Sequence, residues 1–327
     1  MSDSSPFEPS QVQTQPTLLG CLRKPVHISG VLVLYAICVV SLMGYGGLYN
    51  SWLDLTSHFR PYYAVCLLIG TLYLAGTRRW RQLLPVLGCF ALGAWSILPW
   101  YLTPAGPVDR TGNLRVLLAN VLTSNTHHDR LLELIEREQP DVLVLLETDT
   151  NWIASLEPLE ASYPFHLAVP RSDNFGIAIY SRLPMSDLRV VTPGQDLPSI
   201  IGTLTVGNQA VELIGTHPIP PIRGRRFRMR NEQLADLANL VSGPTILAGD
   251  LNLTMWSPHH ARFESESGLR NTRRGFGILP SWPTGEIPVK IPLDHCLVSD
   301  DILVRDTRLG PSIGSDHLPL IVDLVIR

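Results

Sequence analysis

The sequence predicts two parts in series: an apolar helical region, then an α/β domain in which two sheets pack together and carry helices on their outer faces. Long uncharged apolar runs fill the first third of the chain. Beyond them, apolar runs of strand length outnumber helical stretches, which suits packed sheets flanked by a few helices. The whole-chain numbers agree: 327 residues are too many for a single core, and the mean hydropathy of +0.14 is concentrated at one end. The net charge of −3 and pI near 6.4 give no global basic field that would point to a nucleic-acid partner.

Taken in order, residues 1–26 open with a polar, Pro- and Ser-containing stretch and are expected to be a disordered cytoplasmic tail. Residues 27–102 hold three uncharged runs, Ile28–Tyr49, Tyr62–Gly76 and Leu83–Leu102. A span needs roughly 20 apolar residues, so three transmembrane helices are expected at about 28–49, 61–77 and 83–102. Tyr62, Tyr63, Trp80, Trp100 and Tyr101 lie near their ends, where an aromatic belt belongs. The first run follows 27 residues and lacks a small-x-small cleavage site, so it reads as an anchor rather than a signal peptide.

Arg23 and Lys24 precede the first run, and Arg78, Arg79 and Arg81 fill the second loop, whereas the first loop has only Arg60. By the positive-inside rule the N-terminus is cytoplasmic. The chain is then a multi-pass protein of the plasma or inner membrane, with everything after Leu102 on the outer face. Cys296 is the only cysteine after the apolar region, so the second part has no internal disulfide.

Residues 103–111 (TPAGPVDRT) read as a linker, and 112–327 as one domain. Asn113–Val121 is expected as a strand, a helix around Leu131–Ile135 stops at Pro140, and Val142–Leu146 is a strand buried on both faces. Gly176–Ser181 is a strand, and Ile200–Val206 and Ala210–Gly215 form a hairpin across Gly207-Asn208. Arg225–Leu240 is a helix with Leu234, Leu237 and Leu240 on one stripe. Thr245–Ala248, Cys296–Val298, Ile302–Val304 and Leu318–Val325 complete the strands, and no internal repeat is seen.

Polar residues follow directly on these strands: Asn120, Glu147, His217, Asp250 with Asn252, Asp294 with His295, and Asp316 with His317 before the last strand. Singly, each is the usual solvated loop start or turn residue. Six such ends in one domain point to a site. Glu and Asp carboxylates with an Asn carbonyl suit a hard cation such as Mg²⁺. No Cys cluster or H-E-x-x-H helix supports a dedicated zinc site. A His paired with an Asp can deprotonate water, and a second His with an Asn can stabilise an anionic transition state. The combination describes metal-assisted hydrolysis of a phosphate ester.

The ordered set Asn120, Glu147 in PDVLVLLE, His217 in GTHP, GDLN at Gly249–Asn252, LDH at Leu293–His295 and SDH at Ser315–His317 resembles the endonuclease/exonuclease/phosphatase superfamily. The likeness covers about residue 112 to the C-terminus. It implies a four-layered α/β sandwich, two packed mostly antiparallel sheets flanked by helices, and a phosphoesterase that uses Mg²⁺ or Mn²⁺. On this resemblance Glu147 is the main metal ligand, with Asn120 and Asp316. His317 is the general base, Asp294 orients it, Asp250 and Asn252 position nucleophile and phosphate, and His217 stabilises charge on phosphate. Some members carry an acidic residue two places after the Asn; here that place is Leu122, which leaves one or two metals open.

The substrate class is a phosphate ester, with phospholipid and nucleic acid both open, and no protein partner is inferable. A DNase I-like nuclease and a non-catalytic tethered binding protein are the alternatives. Arg223, Arg225, Arg226, Arg228 and Arg230 read as a phosphate or anionic-lipid contact, or as a solvated helix face. Trp256 and Trp282 read as pocket rim or packing, and the pairs His127-His128 and His259-His260 do not share a helix face. Ser315-Asp316-His317 cannot be a hydrolase triad, because consecutive residues do not converge and no G-x-S-x-G elbow occurs. For Asp316 and His317 to serve one site, their stretch must be a loop.

Overall fold

The computed structural model describes residues 18–102, 112–194, 197–222 and 224–327. The N-terminal part is α1 (Leu18–Met43), α2 (Ser51–Ser57), α3 (Arg60–Gly76), α4 (Trp80–Ile97) and the single turn α5 (Pro99–Leu102). Helix α1 starts at Leu18, so residues 18–26, expected as tail, are its first turns. It ends before Tyr49 because the glycine-rich stretch after Met43 turns into a short 3-10 helix, Gly44–Gly46. Among the described residues, two helical stretches are long and apolar enough to cross a membrane, His27–Gly46 and Trp80–Leu102. The expected middle span is 17 residues long and is not one of them. At 1.5 Å per residue it is about 26 Å long, the short end of what crosses a hydrocarbon core of about 30 Å. The expected linker, 103–111, lies outside the described residues.

The second part runs β1 (Leu114–Asn120), α6 (His128–Glu138), β2 (Val142–Leu146), α7 (Thr150–Leu156), β3 (Phe165–Val169), β4 (Ile177–Ser181), β5 (Met185–Val191). It continues β6 (Ser199–Val206), β7 (Gln209–Thr216), α8 (Gly224–Leu240), β8 (Thr245–Asp250), α9 (Pro258–Ser267), β9 (Arg270–Asn271), β10 (Asp294–Val298), β11 (Leu303–Leu309), β12 (Leu320–Val325). One sheet has the order β11-β12-β1-β2-β4-β3 and the other β5-β6-β7-β8-β10-β9. Each is antiparallel but for one central pair, β1–β2 and β7–β8, whose crossovers contain α6 and α8.

Leu118, Val144 and Ile179 of one sheet and Leu213, Ile246 and Cys296 of the other bury their side chains in a core between the sheets. The alternate positions face outward: Leu117, Leu143 and Leu145 meet α6 and α7, while Ile214, Leu247 and Leu297 meet α8 and α9. Strands buried on both faces explain the unbroken apolar runs. Each fully buried aliphatic side chain contributes roughly 1.5–3 kcal/mol. The result is the four-layered sandwich.

Elements that sequence reading missed are short or at edges. β3 and β5 are edge strands, and β5 has a register shift between Ser186 and Arg189 that breaks its alternation. β9 is two residues long. α7 is fixed by Asp149, whose side chain accepts from the Trp152 N–H.

Candidate active site

The parallel pairs decide where the site lies. β1 and β2 run together, so Asn120 and Glu147 leave their sheet at the same edge; β7 and β8 do the same for His217 and Asp250. The antiparallel neighbours start where these end: Asp294 opens β10 opposite Asp250, and the loop before β12 brings Asp316 and His317 beside β1. All six polar strand ends therefore meet at one edge of the sandwich.

His317 Nδ1 lies 2.8 Å from Asp294 Oδ2. A carboxylate only accepts, so Nδ1 carries the proton and Nε2 is directed elsewhere, 3.7 Å from Asp250 Oδ2. Asp294 is anchored in turn: the N–H groups of Leu293 and Asp294 donate to Ser281 Oγ, and the buried Arg273 guanidinium donates to the Asp294 carbonyl. Asp250 Oδ1 accepts from the Asn252 N–H at 2.9 Å, and its Oδ2 lies 3.5 Å from His217 Nε2. Asn120 Nδ2 donates to Glu147 Oε1 at 2.8 Å and reaches Asp250 Oδ2 at 3.4 Å. Glu147 and Asn252 both hold positive φ, 61° and 51°, which costs a non-glycine residue about 1–3 kcal/mol and clusters at functional sites.

Burial and alternating charge set the protonation states. Burial pulls His317 down, but Asp294 and Asp250 outweigh it and raise it to about 10. Burial also lowers His217, and Asp250 and Glu147 raise it overall. Burial pushes Asp250 up, yet His217 and His317 hold it well below the usual carboxylate range. Glu147 is raised by burial, with His217 and Asn120 only partly opposing.

Four buried polar atoms of this edge have no protein partner: Glu147 Oε2, Asp294 Oδ1, Asp316 Oδ1 and His217 Nδ1. A buried orphan acceptor is costly unless a ligand satisfies it. Three are carboxylate oxygens, the donor type a hard divalent cation takes. Two donor groups share the edge. Asp250, Asp294 and His317 offer atoms within 4.8 Å of one another, but Asp294 and His317 already satisfy each other there. Glu147 and Asp316, of the set the sequence suggested, each keep a free oxygen. Asn120 Oδ1 accepts from the Leu122 N–H at 3.2 Å, which leaves it one lone pair.

Ser315 is local structure. Its Oγ donates to the Asn120 carbonyl and accepts from the His317 N–H, tying the loop to β1. Gly314 before it has φ +90°, and a Cβ there would come 2.7 Å from Asn125 Oδ1. Asn252 Nδ2 donates to the Pro218 carbonyl, joining the loops after β8 and β7.

Sequence reading missed several supports: Ser281, Arg273, and Thr123, whose hydroxyl donates to the Glu147 carbonyl. None carries a local pattern. Trp282 belongs to the site, its indole N–H donating to Asp316 Oδ2 at 3.1 Å, whereas Trp256 packs on Trp100. Arg230 turns inward and is fully buried; Arg225, Arg226 and Arg228 are exposed, and Arg223 is outside the described residues. The histidine pairs split: His128 lies tilted against the Trp152 ring, His259 meets Asn231 and His260 meets Asn271.

Residues 111–317 match the Endonuclease/Exonuclease/phosphatase family. No curated protein matches the chain. Among solved structures, an endonuclease/exonuclease/phosphatase from Beutenbergia cavernae is 23% identical over 66% of this chain and 72% of its own, with a TM-score of 0.54. The human Nocturnin catalytic domain with bound sulfate is 20% identical over 65% and 93%, TM-score 0.55. The 3′ phosphatase NExo from Neisseria, bound to a product DNA hairpin, is 18% identical over 64% and 98%, TM-score 0.53.

Proposed function

We propose, for a chain that belongs to the endonuclease/exonuclease/phosphatase family, hydrolysis of a phosphate ester by a water molecule activated where the two sheets share an edge. The observation that carries it is the His317–Asp294 pair set beside the bare carboxylate oxygens of Glu147 and Asp316 and the His217 imidazole. Asp294 holds Nδ1–H, so His317 Nε2 takes the proton of the attacking water. As the new P–O bond forms, the ester P–O bond breaks, and the proton passes to the leaving oxygen or to solvent. His217, whose imidazolium is favoured by Asp250 and Glu147 against burial, donates to a phosphate oxygen as charge grows there. Asp250 and Asn252 hold water and phosphate in line.

Glu147, with Asn120 and Asp316, would hold Mg²⁺ or Mn²⁺. Bound there, such a cation supplies positive charge against the phosphate oxygens and, by the same Coulomb effect, lowers the high pKa of His317. Residues 112–327 form the catalytic domain in this reading and 103–111 the linker. In this reading the N-terminal helices anchor the chain in a membrane, α1, α3 and α4 crossing it, with the Arg78–Arg81 turn cytoplasmic and the catalytic domain outside. Two helices long and apolar enough to cross a membrane support that reading, and a phospholipid ester is the substrate it favours. Exposed Arg225, Arg226 and Arg228 support the nuclease alternative.

The test is a substrate panel on the full chain in detergent with Mg²⁺ or Mn²⁺: phosphomonoesters, phosphodiesters, single-stranded DNA and phospholipid micelles. Glu147→Gln and His317→Ala should each abolish whatever activity is found. No hydrolysis of any class refutes the enzyme. A steep loss of DNA cleavage with salt would favour the nuclease.

A further inference from the structure

We infer that the N-terminal helical unit is a working part of the active site, with Asp54 and His58 acting as positioning residues for the loop that follows Asp250. The inference rests on the catalytic reading above. That loop, residues 251–257, and the start of α9 have their back to the helices. Asp54 accepts from Arg230 Nη2 at 2.8 Å and from Ser257 Oγ, and it is 1% exposed. Arg230 is 0% exposed and donates Nη1 to the Asn252 carbonyl at 3.1 Å. His58 Nδ1 lies 3.0 Å from Thr254 Oγ1, and the Trp256 indole N–H donates to the Ser96 carbonyl. A Cβ on Gly47 would meet both Asp54 and Pro258, so the two segments are in close contact.

The consequence for chemistry runs through Asn252. Its N–H donates to Asp250 Oδ1, and its side chain donates to the Pro218 carbonyl next to His217. Arg230 holds it, and Asp54 holds Arg230. A fully buried guanidinium cannot stay put without its counter-charge. A helical unit that served only as a tether would need none of this: an exposed, screened contact would do. Instead a carboxylate between α1 and α3 is committed, in full burial, to one strand-end loop of the site.

The experiment uses the full chain in detergent, comparing Asp54→Asn, Asp54→Glu and His58→Gln with Leu74→Ala, a packing variant toward the far end of α3. Hydrogen exchange of the Asn252 amide, whose N–H bonds Asp250, reads the geometry without any turnover. Asp54→Asn should raise that exchange while the β2 amides stay protected, and should lower kcat about tenfold to a hundredfold with KM within about twofold, the scale of a misplaced reacting group. Asp54→Glu should recover part of both effects. His58→Gln should shift the same amide, so the inference stays testable if Asp54→Asn does not fold. Leu74→Ala should cost stability and leave both readouts near the parent. Unchanged Asn252 exchange in Asp54→Asn and His58→Gln overturns the inference, as does an equal kcat loss in Leu74→Ala. A parent inactive on every substrate overturns the catalytic reading instead, and the exchange arm still decides whether the helices hold the loop.

Discussion

Replacing Asp294 by Asn changes one oxygen to nitrogen at the centre of the site. In the parent, Asp294 Oδ2 fixes the Nδ1–H of His317 at 2.8 Å, and the imidazole is raised to about 10. Against an ordinary value near 6.5, at 1.36 kcal/mol per unit, that is about 5 kcal/mol favouring the imidazolium. Burial opposes it, and Asp294, Asp250 and Asp316 share it, with Asp294 the largest contributor. An Asn can offer its amide hydrogen to Nδ1 instead, which moves the imidazole proton to Nε2, where it blocks acceptance from water. The expected result is a fall in kcat of about 10²–10⁴ with little change in KM, the contribution of a positioned base.

A second readout is the His317 proton signal titrated by NMR without divalent cation. Its midpoint should fall well below about 10 in Asp294→Asn. The sign for stability follows. A group raised on folding stabilises fully below its unfolded value near 6.5, and the benefit disappears as pH rises through about 10. The parent should therefore lose stability between those limits, and the variant should lose less. Retained kcat with an unmoved His317 titration would refute the pairing and the role built on it.

Ser315→Ala should keep activity within about tenfold, because the hydroxyl only ties the loop to β1, and should cost about 1 kcal/mol measured by denaturant titration; loss of all turnover would restore a serine nucleophile. Arg273→Met should destabilise the catalytic domain by about 3 kcal/mol, lowering its melting temperature by roughly 6–12 °C, since the buried guanidinium satisfies the carbonyls of Ile278, Leu279 and Asp294. Trp282→Phe keeps the ring and removes the indole donor to Asp316. About a tenfold weakening of Mn²⁺ or Mg²⁺ affinity or of kcat is expected, and no change in either would separate Trp282 from the site.

Much of the fold was legible. Val142–Leu146 is a strand at the bounds its apolar run suggested, and the Gly207-Asn208 turn joins the expected hairpin. Central strands sit between two hydrophobic layers, so their local composition carries the signal. Edge strands β3 and β5 face water on one side and gave none that could be read. Of the three expected spans, two coincide with helices of the described residues that are long and apolar enough to cross a membrane, and the middle one forms the 17-residue α3.

The site shows the same division. Residue types at strand ends named the candidate groups, because chain direction and strand length are local properties. Which atom meets which was not local. Ser281 reaches Asp294, Trp282 reaches Asp316, and Asp54 meets Arg230 across 176 residues. Hydrogen bonds at that separation impose no period and no spacing on the sequence. The sequence by itself determined the layered domain and the chemical groups at its edge, since burial and alternation write those into every strand. Only the tertiary structure decided that the helical unit closes on the back of the site, because a buried ion pair and a few hydrogen bonds fix that contact and any chain order can supply them.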